Sequence, residues 1–300
     1  MIKKNDVVLI TGCGGMLGEA VYSQFKDVCK VFATDIDLNE SWLEHLDVTD
    51  HNEVKILTEK IKPDYILHLA ALTDMEYCEL NPKESYTVNA GGVENLAWYA
   101  HSNNIPFLYI STAGIFDGKK DVYNELDKPN PQSIYARSKY VGELVAKSLS
   151  KSIVLRAGWM VGGGPKKDKK FVNKVIKQIQ NGCKELFVVD DKLGTPCYTY
   201  DLAKSMFYLL NEEKTGIFHG ACEGSGSRYD VAEFLLEKLG LKNKIKLTKV
   251  DSFYFKKEFF APRPYSEKLT NIKLKELNSE LTRDWKQCLG EYLEKFDWKV

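Results

Sequence analysis

The chain has 300 residues, and its 42 Lys and Arg balance 42 Asp and Glu, so the formal net charge is zero. That balance argues against a surface that finds nucleic acid or anionic membrane through overall positive charge. With 44% hydrophobic and 28% charged residues, the composition is that of a globular protein, long enough to bury roughly three-quarters of the surface its unfolded chain exposes.

The N-terminus runs into a short apolar segment, residues 7–11, which is too brief for a signal-peptide core. No stretch approaches the roughly 18 apolar residues of a membrane span. The 7 cysteines, at 13, 29, 78, 183, 197, 222 and 288, form no Cys-x-x-Cys pair, so neither a disulfide framework nor a zinc site is predicted. A reduced, cytoplasmic protein without a metal is the expectation.

Val7-Val8-Leu9-Ile10 predicts a first strand, followed by glycines and a helix over 16–25. Further strands are predicted at 30–34, at 65–69 after Lys62-Pro63-Asp64, at 107–110 and at 153–155. A helix beginning after Asn81-Pro82 precedes the fourth of these, and another precedes the fifth. Strands buried on both faces read as continuous apolar runs, so this alternation predicts an α/β fold with a doubly wound, Rossmann-type parallel sheet. Such sheets bind ligands at the carboxyl ends of their strands.

After Arg156 the pattern changes. Gly162-Gly163-Gly164-Pro165 is a loop, and the helix that follows has apolar positions 171, 172, 175, 176 and 179. Its other face carries Lys166, Lys167, Lys169, Lys170, Lys174 and Lys177, read chiefly as a solvated face. A strand at 186–189, a helix from near Asp201, a strand at 216–219 and a helix over 229–239 come next. The expected division is a dinucleotide-binding domain over 1–157, rejoined by segments near 195–220. A smaller α+β substrate-binding region then covers 158–300, mainly 158–192 and 221–300.

Gly12, Gly15 and Gly18 sit between the first strand and first helix in the spacing G-x-x-G-x-x-G, with Met16 and Leu17 completing the loop. Glycine lets the backbone approach a pyrophosphate, which rests on the positive end of the helix. Asp35 follows the last glycine near the spacing at which an acid accepts hydrogen bonds from the adenosine ribose. A carboxylate there repels a 2′-phosphate, and Ile36-Asp37 bring no cation. NADH is therefore expected to be preferred, with NADPH still usable.

Tyr135 and Lys139 lie four apart at the start of a helix that Ser133 can cap, so phenol and ammonium share one face. The ammonium is expected to lower the phenol from its ordinary pKa of about 10 toward the range useful for proton transfer. Such a pair is common by chance and gains meaning from its company.

That company is the glycine loop and Ser111-Thr112 at the end of the fourth strand. Together they resemble the extended short-chain dehydrogenase/reductase superfamily, and within it the dTDP-4-dehydrorhamnose reductase family of sugar-nucleotide ketoreductases. The resemblance runs through Leu46-Asp47-Val48-Thr49-Asp50, the segment from Pro63 to Ala71, Val88-Asn89-Ala90, and Phe116-Asp117-Gly118. It continues through Tyr135 to Lys139 with Gly142-Glu143, then Arg156-Ala157-Gly158-Trp159, Gly194-Thr195-Pro196 and Arg263-Pro264.

The resemblance implies a catalytic set of Thr112, Tyr135 and Lys139. Tyr135 would give a proton to the carbonyl oxygen as hydride arrives, Thr112 would bind that oxygen, and Lys139 would hold the nicotinamide ribose. Asp47 and Val48 match positions beside the adenine, while Ala70, Ala71 and Leu72 match the wall near the pyrophosphate and ribose. Trp159 and Ala113 match substrate contacts, and Arg263 is the candidate for a substrate phosphate.

Two departures leave the sugar and the nucleotide base open. The family's Ser-Thr-Asp-Tyr-x-Phe is here Ser111-Thr112-Ala113-Gly114-Ile115-Phe116, and a serine expected three residues after Pro264 is Glu267. A 4,6-dehydratase is set aside, because Ala113-Gly114 cannot supply its acid-base pair. A nucleotide-sugar epimerase or epimerase-reductase remains an alternative, as does a non-catalytic subunit resembling the regulatory β subunit of methionine adenosyltransferase. His68 and His219 are expected to be satisfied buried imidazoles, and Cys13 is assigned no chemistry. A homodimer through helices near 82–101 and 133–149 fits the pattern of many extended members.

Overall fold

The computed structural model describes residues 1–300. Seven strands form one parallel sheet: β1 (Val7–Thr11), β2 (Lys30–Asp35), β3 (Leu43–His45), β4 (Tyr65–His68), β5 (Phe107–Thr112), β6 (Ser152–Ala157) and β7 (Gly216–Gly220). Their order is β7-β6-β5-β4-β1-β2-β3. The direction of winding reverses between β1 and β4, where Thr11 pairs with Thr34 on one side and His68 on the other. Ligand crevices form at such a switch point.

Helices α1 (Gly18–Phe25), α2 (His51–Ile61), α3 (Gly92–Asn103), α4 (Ile134–Lys147), α5 (Phe171–Gln180), α6 (Thr199–Asn211), α7 (Arg228–Lys238) and α8 (Trp285–Lys295) complete the main framework. Local chemistry sets their ends. The Asp50 side chain caps α2 by accepting the Asn52 and Glu53 N–H groups, and the helix stops at left-handed Lys62, just before Pro63. Ser133 caps α4 through the Ala136 N–H, as the sequence predicts.

One face of the sheet packs on α1 and α6 through Leu17, Val21, Phe25, Leu202, Met206 and Leu209. The other packs on α2, α3 and α4 through Val54, Val93, Leu96 and Ala146. Both faces are covered by helices, which explains why the strands read as unbroken apolar runs. A separate core of Val172, Ile176, Leu186, Val188, Leu235, Trp285 and Tyr292 joins α5, α7 and α8 to the parallel pair Glu185–Val189 and Lys246–Val250. Segment 199–220 belongs to the large sheet layer, since α6 packs on α1 and β7 pairs with β6. No helix is long and apolar enough to cross a membrane.

The structure corrects two boundaries. Helix α1 begins at Gly18 rather than at 16, which leaves Met16 and Leu17 in the loop. The lysine-rich face is not one helical face. Lys166 and Lys167 lie in the single turn Gly164–Lys167, while α5 starts only at Phe171 and carries just Lys174 and Lys177. Lys167 is largely buried, ion-paired with Glu40 at 3.0 Å and lying over the Trp42 ring, so it is not a solvated residue.

Candidate active site

Gly12 adopts φ +70°, and a Cβ there would overlap the backbone of Ala70, so β1 and β4 can exit side by side only with glycine at this position. No side chain caps α1. Its first N–H groups are therefore directed at the loop mouth, where an anion can take them. Asp35, at the end of β2, accepts the Gly14 N–H at 2.9 Å and the Asp37 N–H at 3.0 Å. Asp47 accepts both the N–H and the hydroxyl of Thr49, and Val48 is buried in the adjacent core.

The wall at Ala70, Ala71 and Leu72 is held by Asn89. Its side chain accepts the Leu72 N–H at 2.8 Å and donates to the Leu72 carbonyl and the Ser138 hydroxyl, each at 3.0 Å. Asn89 lies on a π-helical turn, Thr87–Gly91, an irregularity often found at functional sites. It ties the exit of β4 to α4, one residue from Lys139 and three from Tyr135.

Tyr135 occupies the first turn of α4 and is partly buried; Lys139, one turn on, is 3% exposed. The Lys139 ammonium sits 4.2 Å from the centroid of the Tyr109 ring. Burial holds it down at about 7 from an ordinary 10.5, with Glu143 pulling the other way. Burial also pushes the Tyr135 phenol up to about 12, the Thr112 hydroxyl opposing it and the Glu267 charge adding to it. The expected lowering of Tyr135 by Lys139 is not found: desolvation of the phenolate is the largest effect, and the Thr112 hydroxyl, not the Lys139 ammonium, is what opposes it. At neutral pH Tyr135 carries its proton, the state a proton donor needs.

Lys139 makes stability depend on pH. Between about 7 and 10.5 the unfolded chain binds a proton here that the folded chain does not, so stability rises with pH across that window. Lys139→Met is expected to raise unfolding free energy by about 1–3 kcal/mol at pH 6, with a smaller gain near pH 9.5. Urea midpoints at the two pH values check this, and equal gains at both would contradict it.

Behind Lys139 lies a buried ion pair. Arg156 and Glu143 are 1% and 0% exposed, and the guanidinium donates to the carboxylate at 2.6 and 3.1 Å, while the Ser111 hydroxyl donates to it at 2.7 Å. His68 shares a 2.7 Å hydrogen bond with the Thr11 hydroxyl, but its Nε2 has no partner, and burial lowers its pKa to about 3. His219 is similar, with Nδ1 on the Thr270 carbonyl and Nε2 unpaired. Each imidazole is thus neutral and only half satisfied, a correction to the expectation that both would be fully paired.

Three short strands, Leu193–Gly194, Gly226–Ser227 and Ser266–Glu267, form a small sheet from which Glu267 reaches Gly114, just past β5. A side chain at Gly194 would overlap the Trp159 indole, so glycine lets that ring lie against the strand. Trp159 Nε1 donates to Glu267 at 2.7 Å, and the Arg228 guanidinium lies 3.6 Å from the Trp159 centroid and 5.2 Å from that of Phe171. Burial draws Arg228 down to about 10, so it remains a cation. Arg263, the sequence-derived phosphate contact, instead makes a bidentate pair with Glu76 at 2.7 and 2.9 Å. Arg228, which sequence reasoning did not single out, lies against two ring faces with the Glu267 charge nearby and no direct ion pair.

Thr112 and Tyr135 are linked to Trp159 through Glu267, whose carboxylate lies by Thr112 and accepts from the indole, while the glycine loop lies against Ala70 at the end of β4 and Ala113 is buried next to Thr112. The residues fit a dinucleotide: an uncapped helix end for phosphates, an acid at the end of β2, and a buried ammonium facing a ring rather than a carboxylate.

Comparisons with known proteins place the chain. A profile of the family described as RmlD substrate binding domain matches residues 6–298. The chain is 30% identical over 290 residues to the spore coat polysaccharide biosynthesis protein SpsK of Bacillus subtilis (strain 168), covering 96% of each protein. It is 31% identical over 299 residues to a dTDP-4-dehydrorhamnose reductase of Aggregatibacter actinomycetemcomitans, covering 94% of this chain and 96% of the other. It is also similar to the crystal structure of dTDP-4-dehydrorhamnose reductase from Bacillus anthracis str. Ames in complex with NADP, with a TM-score of 0.87 and 27% identity over 97% of this chain and 100% of that one. The chain belongs to the RmlD substrate binding domain family.

Proposed function

We propose that the chain is an NAD(P)H-dependent reductase of a 4-keto-6-deoxy sugar nucleotide. The observation that carries this is the pairing of a protonated Tyr135 with the Thr112 hydroxyl at the end of β5, with Trp159 linked to them through Glu267. When bound, the reduced nicotinamide supplies the hydride. Tyr135 gives its proton to the carbonyl oxygen, and Thr112 holds that oxygen in line. The Lys139 ammonium binds the nicotinamide ribose, replacing water it has lost by burial. Gly12, Gly15, Met16, Leu17 and Gly18 receive the pyrophosphate, with Ala70, Ala71 and Leu72 as its wall and Asp47 and Val48 beside the adenine. Residues 1–157 with segment 195–220 serve the cofactor, and the remainder serves the nucleotide sugar. Arg228 is better placed than Arg263 to meet the substrate diphosphate.

NADH is the preferred cofactor in this reading, because Asp35 is a carboxylate at the ribose position with no cation paired to it. Asp35→Ala should narrow the NADH preference in steady-state kcat/KM ratios, and an unchanged ratio would contradict the role given to it. The chain also pairs as a homodimer through α3 and α4, whose exposed Trp98, Val141 and Leu144 form an apolar face. Light scattering should read twice the 34.2 kDa chain mass, and Leu144→Glu should return it to one. The enzymatic reading is tested by NADH consumption with dTDP-, GDP-, UDP- and CDP-linked 4-keto sugars.

A further inference from the structure

At the end of β5 the chain has no side chain at position 114, and the space is filled from elsewhere. Glu267 enters from the small sheet, where it pairs with Gly194. A Cβ built on Gly114 would lie 3.3 Å from Glu267 Oε1 and 3.5 Å from the Thr112 hydroxyl. One carboxylate oxygen and the carbonyl-binding hydroxyl therefore border the same small volume. The other carboxylate oxygen, Oε2, is fixed by Trp159 Nε1 at 2.7 Å. No other hydrogen bond within the protein holds this side chain, which leaves Oε1 as an oriented acceptor beside the reacting carbonyl.

We infer that Glu267 reads the sugar, its Oε1 accepting a hydrogen bond from the C3 hydroxyl of the 4-keto substrate. The chemistry leaves little choice of donor. In a 4-keto-6-deoxy hexose, C4 is flanked by C3, which bears a hydroxyl, and by C5, which bears a methyl group and no donor. A carbonyl oxygen on Thr112 and Tyr135 places the C3 hydroxyl beside it, within the volume that Oε1 borders. A carboxylate accepts and cannot donate, so it favours a hydroxyl or ammonium at C3 and disfavours a hydrogen there, which would leave Oε1 without a hydrogen-bond donor. Charge also disfavours sugars carrying a carboxylate. Glu267 acts by binding and takes no part in proton transfer.

This inference rests on the reductase reading above, and its test separates the two. Wild type, Glu267→Gln and Glu267→Ala are compared on dTDP-4-dehydrorhamnose and on its 3-deoxy analogue, by steady-state kinetics and by calorimetric binding. Turnover of the first substrate by wild type tests the reductase reading. The Glu267 assignment predicts that Glu267→Ala lowers kcat/KM on the hydroxylated substrate roughly 10- to 100-fold, mostly through KM, with Glu267→Gln between. Activity on the 3-deoxy analogue should be unchanged or improved, and dTDP should bind all three proteins alike. Equal losses on both sugars, or a weakened grip on dTDP, would mean that Glu267 merely props Trp159 and would overturn the assignment. If wild type reduces neither sugar, the same ratio read from binding decides it.

Discussion

Replacing Tyr135 with phenylalanine is expected to lower turnover about 100-fold or more while cofactor affinity stays nearly intact. The substitution removes one oxygen from the first turn of α4 and leaves the ring in place. What is lost is the proton that the carbonyl oxygen must gain as C4 takes hydride. Burial keeps that proton on the phenol well past neutral pH, at about 12, so wild type holds a full complement of donor where the variant has none. Thr112 and Lys139 remain and can still orient substrate and cofactor, which is why the effect falls on kcat more than on binding. Steady-state rates and fluorescence titration with NADH separate these quantities. A Tyr135→Phe enzyme of wild-type activity would remove Tyr135 from the mechanism.

Glu143→Ala is expected to cost about 3–5 kcal/mol of folding free energy, although Glu143 touches no solvent and contacts no ligand in this account. The variant leaves Arg156 inside β6 as an uncompensated charge, with Nη1 already lacking a partner in the intact protein. It also strips the acceptor from the Ser111 hydroxyl. Since Glu143 favours the charged form of Lys139, its loss should push that ammonium further toward neutrality. Guanidinium unfolding monitored by circular dichroism measures the effect. A loss below about 1 kcal/mol would show that the pair is compensated by groups other than those identified.

The large sheet was legible because β1, β4, β5 and β6 are buried on both faces and spell themselves out as apolar runs. The glycine loop, Ser133 as a cap, and Tyr135 with Lys139 were legible for local reasons, since turn geometry, capping and helical spacing act within a few residues. The small strands around Gly194, Ser227 and Glu267 were not, being two residues long and defined only by partners far away in the chain. Arg228 and Glu267 went unassigned for that reason, and the pairing of Arg263 with Glu76, 187 residues away, was equally out of reach of the local sequence. Arg156 carried a signal that could have been used. A guanidinium within the run Ile153-Val154-Leu155-Arg156-Ala157 demands a buried acid, and Glu143 lies one turn beyond Lys139 on the same helix face. The Tyr135 shift was misjudged because charge proximity can be read from spacing, whereas the depth of burial cannot.

The most direct test of the account is transfer of a deuteride. Wild-type enzyme is supplied with nicotinamide-labelled NADH or NADPH and dTDP-4-dehydrorhamnose, and the product sugar is analysed by mass spectrometry and NMR. The account predicts one deuterium per turnover, located at C4, with stoichiometric oxidation of the cofactor. Product labelled at another carbon, or no oxidation of either cofactor with any 4-keto nucleotide sugar supplied, would contradict it.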